Sequence, residues 1–280
     1  MWRSRYSVLA LLTICILFFV AACDTSNKTQ SKVNSQSALW EEYISSHTTG
    51  LVSRDSNISV RFVGDVATAA QVGKSAEAYI EIIPKVKASV TFSDTKGIVI
   101  VPSVELASGA QYNFIIKGKE LLKLPTATGL SDYEFIVQVI KQEFEVMLTG
   151  ISPDPLDNKK MAVHGTLVTA DKEDADKIEK IVSSKYLDKG MPLKWEHSFN
   201  GKRHEFIISG VERQKKDSSL KISWNGGAIG QDMRGELEVE VPAQGVFKVM
   251  DVRAVRGEKP FVGIYFSSNV STRQNIKGLI

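Results

Sequence analysis

Four histidines are the side chains in this sequence best suited to metal binding or to proton transfer: His47, His164, His197 and His204. Imidazole serves both purposes near neutral pH. None of the four has a second histidine at helical or alternate-strand spacing together with a carboxylate partner. We therefore interpret them as ordinary strand or turn histidines, and we expect no metal site, no cofactor site and no catalytic residue.

The remaining candidates for chemistry are serines and carboxylates. A nucleophilic serine is expected in an elbow of the form Gly-x-Ser-x-Gly, and the chain has none. Glu236, Glu238 and Glu240 alternate along one predicted strand, which is typical of a solvated face. Paired carboxylates for glycoside hydrolysis stay open, because their separation is set in three dimensions. An unrecognised hydrolase is thus the weakest of three functional alternatives.

The large aromatic residues have two interpretations, and one basic run has a single one. Trp40, Trp195 and Trp224 are candidates for a sugar-binding groove, although core or edge packing is the more frequent use of tryptophan in sandwiches. The run from Arg213 to Lys216 is followed by Asp217 and two serines. This composition predicts a solvated turn.

The first 22 residues have the pattern of a secretory signal. Arg3 and Arg5 precede an apolar run from Val8 to Ala22. The run is too short to span a bilayer comfortably, since a spanning helix needs about 20 apolar residues. The predicted signal peptide therefore covers residues 1–22.

The segment Leu17–Cys23, in which Ala21 and Ala22 precede the cysteine, resembles the lipobox of bacterial lipoproteins. The resemblance implies cleavage between Ala22 and Cys23, an S-diacylglycerol group on Cys23 and acylation of its new amine. An uncleaved apolar anchor, or an ordinary signal followed by a chance cysteine, is the alternative.

Cleavage at that point has consequences for composition. Removal of the first 22 residues from 280 leaves 258, enough for two domains or one large one. Cys15 lies in the signal and Cys23 would carry lipid, so disulfides and cysteine nucleophiles are excluded. Loss of Arg3 and Arg5 lowers the net charge from +3 to +1, which does not favour a nucleic-acid partner.

Period-two alternation dominates the rest of the chain and predicts an all-β fold of tandem antiparallel β-sandwich modules. A polar stretch over residues 23–40 predicts a flexible tether after the lipidated cysteine. We assign residues 41–140 to the first sandwich and residues 141–257 to the second.

The second module contains the only predicted helix. Asp171 is the expected cap, and Ala175, Ile178, Ile181 and Val182 fall on one face. Asn200-Gly201 predicts a tight type I′ hairpin, in which both residues have positive φ.

An internal repeat predicts a third module. Val262, Ile264 and Phe266 repeat the alternation of Ile58, Val60 and Phe62. Residues 258–280 would then begin a third, truncated sandwich, because two strands cannot close one. On this interpretation the sequence is the N-terminal part of a longer protein.

Several segments resemble bacterial alpha-2-macroglobulin family lipoproteins. They are Tyr43–Gly50, Ile58–Phe62, Leu106–Tyr112, Phe144, Val163–Asp171, Leu193–Trp195, Gly210–Arg213, Phe266–Ser267, Gln274 and Gly278–Ile280. Together they are spread over nearly all of the predicted mature chain. One departure is Ala107, at a position where proline or lysine is more usual in the family.

The resemblance implies a function and a location. Family members are large periplasmic proteins built from serial macroglobulin-type β-sandwiches, in which a protease cuts a bait region and is caged. Many also carry a Cys-x-Glu-Gln thioester, and neither device is visible in this sequence. The resemblance therefore implies a non-enzymatic protease inhibitor of the cell envelope, with this chain as its membrane-anchored N-terminal part facing the periplasm.

The same resemblance implies the partners. These are the membrane through the lipid anchor, target proteases through the complete protein, and a peptidoglycan synthase (penicillin-binding protein). Asp24 resembles the residue that keeps some lipoproteins in the inner membrane, although sorting rules differ between bacterial groups. The alternative is a stand-alone envelope lipoprotein whose sandwich edges bind a polymer or a partner protein.

Overall fold

The computed structural model describes residues 39–123, 131–271 and 273. The chain divides into two compact units, Met1–Val139 and Ile140–Ile280. As predicted, it is an all-β protein of tandem, mainly antiparallel β-sandwich modules. The predicted signal peptide, Cys23 and residues 24–38 of the tether lie outside the described residues. In the part that is described, no helix is long and apolar enough to cross a membrane.

The first unit contains two four-stranded sheets. One has the order β1-β3-β6-β5, with β1 at Ile44–His47, β3 at Ile58–Phe62, β5 at Ala88–Asp94 and β6 at Gly97–Pro102. The other has the order β2-β8-β7-β4, with β2 at Gly50–Val52, β4 at Ile80–Ile83, β7 at Gln111–Ile116 and β8 at Tyr133–Val139. A short helix, α1, spans Gly118–Leu122, and 3₁₀ turns span Ala69–Gln71 and Glu77–Tyr79.

Alternation in the sequence becomes alternation of burial in this unit. Ile58, Val60 and Phe62 are buried, whereas the residues between them face solvent. Two features were not predicted. Strand β2 pairs with β8 in parallel, and α1 occupies a module in which we expected no helix.

The second unit also contains two four-stranded sheets. The first has the order β13-β14-β10-β9, with β9 at Phe144–Pro153, β10 at Lys160–Thr169, β13 at Lys194–His197 and β14 at Arg203–Glu212. The second has the order β12-β11-β15-β16, with β11 at Val182–Tyr186, β12 at Lys189–Met191, β15 at Ser218–Asn225 and β16 at Arg234–Val241. Helix α2 spans Ala175–Ile178, and a 3₁₀ turn spans Gly226–Ile229.

The predicted helix exists but is shorter than expected and is capped elsewhere. Its N-cap residue is Asp174, and Asp171 is instead a buried side chain whose carboxylate accepts from the Lys172 backbone N–H. Val182, which we placed on the helix, begins β11. Ile178, Ile181 and Val182 are buried as predicted, because a strand can bury apolar residues as well as a helix can, whereas Ala175 is only half-buried.

The type I′ turn was predicted at the wrong place. Gly201 has a φ of 64°, but Asn200 has a negative φ, and the β13–β14 loop closes through a hydrogen bond from Ser198 N to Arg203 O. Positive φ at two successive residues occurs instead at Leu187 and Asp188, with φ of 48° and 62°. These two residues connect β11 to β12, where Tyr186 pairs with Lys189.

A final antiparallel hairpin consists of β17, Val249–Val255, and β18, Phe261–Phe266. We predicted that these strands belong to different modules. In the structure they pair with each other, within the unit that starts at Ile140. The third module expected over residues 258–280 stays a prediction, and residues 272 and 274–280 lie outside the described residues.

Candidate functional site

The β13–β14 hairpin brings two histidines into contact. His197 and His204 are cross-strand partners, and their Nδ1 atoms lie 2.8 Å apart. This distance is that of a direct hydrogen bond between the two imidazoles. Helical or alternate-strand spacing in the sequence did not indicate a second histidine with a carboxylate partner, but the folded hairpin supplies both to His197.

The carboxylate partner is Glu179, which follows α2. Its Oε1 atom lies 3.2 Å from Nε2 of His197. An ionised carboxylate only accepts hydrogen bonds, so Nε2 of a neutral His197 carries the proton and its Nδ1 accepts. Nδ1–H of His204 must then donate to His197, which leaves Nε2 of His204 without a proton.

His204 is almost fully enclosed, with 1% of its surface exposed. Among the described residues, none forms a hydrogen bond with its buried Nε2 atom. Burial lowers the pKa of His204 below its ordinary value, and the neighbouring His197 acts in the same direction. The Gly201 carbonyl and the Glu173 carboxylate raise this pKa, but their effect is smaller.

Further charged groups lie between β10 and α2, next to the histidines. The Glu173 side chain has no exposed surface, and its Oε1 atom accepts a hydrogen bond from Nζ of Lys177 at 3.0 Å. Asp171 lies 3.9 Å from Nζ of Lys202. Gln142 accepts a hydrogen bond from the Asp171 backbone N–H and donates to the Asp171 carbonyl oxygen. The buried carboxylates of this cluster are therefore close to cations.

An open cavity of about 400 Å³ lies beside the pair, at the edge of the sandwich. Its lining includes Glu179, Met191, Leu193 and Trp195. The Trp195 ring stacks nearly parallel to His197, with an angle of 8° between the ring planes. The arrangement can hold and exchange protons. Within the described ranges, no group of three or more His, Cys, Asp or Glu residues could hold a metal ion.

The other two histidines are separate from this site. His164 is on β10, and its Nε2 lies 3.1 Å from the Ser152 hydroxyl. His47, at the end of β1, packs its ring 4.5 Å from that of Phe135. Both lie on strands.

The prediction that Arg213 lies in a solvated turn is wrong. The Arg213 side chain is only 2% exposed. Its guanidinium donates hydrogen bonds to the carbonyl oxygens of Pro242, Ala243, Val246 and Ser267, among others. Arg213 therefore fastens the base of the β17–β18 hairpin to the strand ends of the sandwich.

The tryptophans and the glutamate row follow their structural interpretations. Trp40 is 2% exposed and belongs to the core of the first unit, while Trp195 and Trp224 pack at the border of the second core. Glu236, Glu238 and Glu240 are exposed along β16. Glu236 pairs with Lys221 at 2.6 Å, which is an ordinary surface contact.

No family model and no curated protein sequence matches the chain. Several solved structures are partly similar to it. An L,D-transpeptidase from Mycobacterium tuberculosis H37Rv is 11% identical with a TM-score of 0.26, over 57% of this chain and 71% of that one. L,D-transpeptidase 3 from Mycobacterium tuberculosis is 8% identical with a TM-score of 0.27, over 71% of this chain and 75% of that one.

The titin structure A168169 is 10% identical with a TM-score of 0.25, over 70% of this chain and 95% of that one. Similarities at this level carry no argument about function. The functional conclusion therefore depends on the sequence and on the geometry of the chain itself.

Proposed function

We propose that this chain is the membrane-anchored N-terminal part of a bacterial alpha-2-macroglobulin-like protease inhibitor that protects the cell envelope. The observation that carries the proposal is the order of segments. A short apolar segment ends in Ala22-Cys23, a polar tether follows, and two β-sandwich units come after it. The family resemblance of segments in both units supports the same assignment.

Lipid on Cys23 would provide the attachment. Each buried methylene contributes about 0.8 kcal/mol, and two acyl chains suffice for stable anchoring. The polar residues 24–38 would separate the folded units from the membrane surface. In this role the sandwiches act by position, and the bait region and any thioester would belong to other parts of the complete protein.

Metabolic labelling with palmitate tests the anchor. We expect the wild type to incorporate label and Cys23→Ala to incorporate none. Cys15→Ala is the matched control, since it removes the other cysteine from within the signal segment and should leave the labelling unchanged. Equal labelling of Cys23→Ala and the wild type would refute the lipoprotein assignment.

The coding sequence downstream of the Ile280 codon tests the inhibitor assignment. An in-frame continuation of further sandwich modules with a Cys-x-Glu-Gln motif would support it. A stop codon at that point would instead favour the second candidate, a stand-alone envelope lipoprotein that binds a partner.

The second candidate is favoured by the β17–β18 hairpin. Val252 pairs with Ile264 and Ala254 pairs with Val262 on one face of this two-stranded sheet. Val252 and Val262 are 58% and 64% exposed. An exposed apolar sheet face is typical of an interaction surface. A photo-crosslinker at Val252 should then capture a partner that a crosslinker at the polar Glu236 position does not.

A further inference from the structure

We propose that Glu179, His197 and His204 form a proton-sensitive latch. In the neutral state it fastens the end of the β13–β14 hairpin to the segment that contains α2, and it opens when the pair takes up a proton. This inference is independent of the proposed function, because it rests only on contacts within the second unit.

The sensitivity of the latch to protons depends on which ring nitrogens of the two imidazoles can accept a proton. With Nε2–H of His197 directed at Glu179, the pair has only two unprotonated ring nitrogens, Nδ1 of His197 and Nε2 of His204. The first already accepts the hydrogen bond between the rings. The second is buried, and no described residue bonds to it. A proton added at the first site breaks the contact, and a proton added at the second places a charge in the interior.

Two backbone hydrogen bonds next to the latch connect the parts of the chain that it holds together. Glu173 N donates to Gly201 O at 2.9 Å, and Thr169 N donates to Lys202 O at 2.9 Å. These bonds connect the hairpin loop to the segment that leads into α2. Separation of the histidines would expose both bonds to solvent, so their amides report on the state of the latch.

The neighbouring groups offset the burial of His204 only in part. The Gly201 carbonyl oxygen favours the protonated form of His204, but burial and the neighbouring His197 have larger effects in the opposite direction. The Glu173 carboxylate also raises the pKa of His204, but it accepts hydrogen bonds from Lys177 and from the Asp174 backbone N–H. Asp171 is next to Lys202, and Glu179 faces His197. On the strands, Lys194, Glu196, Arg203 and Glu205 alternate with the histidines and therefore project from the opposite face of the sheet.

The direction of the pH effect follows from linkage. The pKa of His204 is lower in the folded protein than its ordinary value of 6.5. The latch is therefore fully closed above that value and loses stability as the pH falls below it, because the open state binds the proton more tightly. Uptake of one proton per opening event increases the open fraction about tenfold for each unit of pH, down to the folded-state pKa.

Nuclear magnetic resonance of the ring nitrogens in the wild-type chain is the first test, and it needs no variant. We expect neutral His204 to be the Nδ1–H tautomer and neutral His197 the Nε2–H tautomer. We also expect His204 to titrate below 6.5. The opposite tautomer at His204, or titration at or above the ordinary value, would overturn the proposal.

Hydrogen exchange at the Glu173 and Thr169 amides is the second test. We expect their protection, corrected for the intrinsic effect of pH on exchange, to fall by up to about tenfold per unit as the pH decreases from 6.5 toward the folded-state pKa of His204. His204→Phe should remove this fall. His164→Gln, which alters a histidine on the adjacent strand, should retain it. Constant protection in the wild type, or an unchanged fall in His204→Phe, would contradict the latch.

Discussion

The Trp40 ring occupies the space that a side chain on Gly118 would need. A Cβ atom at Gly118 would lie 1.8 Å from Cη2 of Trp40 and within 3 Å of two further ring atoms. Trp40 is 2% exposed, so its ring cannot move toward solvent without opening the core of the first unit. This contact explains why the first residue of α1 is glycine.

Gly118→Ala should therefore destabilise the first unit. We expect a loss of about 3 kcal/mol in the free energy of unfolding, since overpacking a closed core costs roughly that much. Urea titration followed by tryptophan fluorescence measures it. Gly64→Ala is the matched control, because nothing lies within 4 Å of its Cβ position. Equal losses in the two variants would show that the Trp40 contact is not the cause.

Residues that tolerate positive φ at positions 187 and 188 should increase the stability of the second unit. Both positions carry left-handed backbone conformations that cost ordinary residues about 1 kcal/mol each. The double variant Leu187→Asn, Asp188→Gly should raise stability by about 1 kcal/mol, as Asn-Gly suits such turns. Thermal unfolding measures the gain. A change in the opposite sense at another position, Gly201→Ala at a φ of 64°, should lower stability. Unchanged stability in both the double variant and Gly201→Ala would contradict the strain argument.

Replacement of Arg213 should loosen the β17–β18 hairpin. Arg213→Met leaves several buried carbonyl oxygens without a donor, so we expect a loss of about 3 kcal/mol. Hydrogen exchange over residues 249–266 should accelerate more than elsewhere. Arg203→Met is the control, because Arg203 is exposed and pairs with Glu205 at the surface. Such a surface pair contributes about 1 kcal/mol or less to the free energy of unfolding. Similar effects of both variants would refute a clamping role.

Lys177 should stabilise the second unit through the buried Glu173 carboxylate. Its hydrogen bond with Glu173 raises the pKa of Lys177 above 10.5, so the stabilisation is present below that value and is lost as the pH rises through the folded-state pKa. Lys177→Met should cost about 1 kcal/mol near neutral pH, a modest amount because Lys177 is partly exposed. Urea unfolding at several pH values measures this difference, which should shrink above the folded-state pKa.

Lys180→Met is the matched control for Lys177, since Lys180 is an exposed lysine just after the same helix. It should leave the free energy of unfolding unchanged at every pH. A loss in Lys180→Met equal to that in Lys177→Met would assign the effect to net charge and contradict the specific pair.

The pairing of His197 with His204 could have been predicted from the sequence. A two-residue turn at Asn200-Gly201 places His197 opposite His204, because cross-strand partners lie symmetrically about the centre of a hairpin. The structure keeps this register although the loop is not a type I′ turn. The signal was therefore present in the predicted hairpin. Glu179 had no such signal, since its approach to His197 depends on how α2 packs.

Local pattern alone determined the all-β class, most strand positions and the burial of residues such as Ile58 and Val60. Period-two alternation is a property of neighbouring residues, and it marks which face of a strand becomes core. Tertiary structure decided the environment of Arg213, Glu179 and His204. Their partners are carbonyl oxygens or side chains on other elements, so the burial of Arg213 and His204, the lowered pKa of His204 and the contact of Glu179 with His197 exist only after the sheets and α2 have packed.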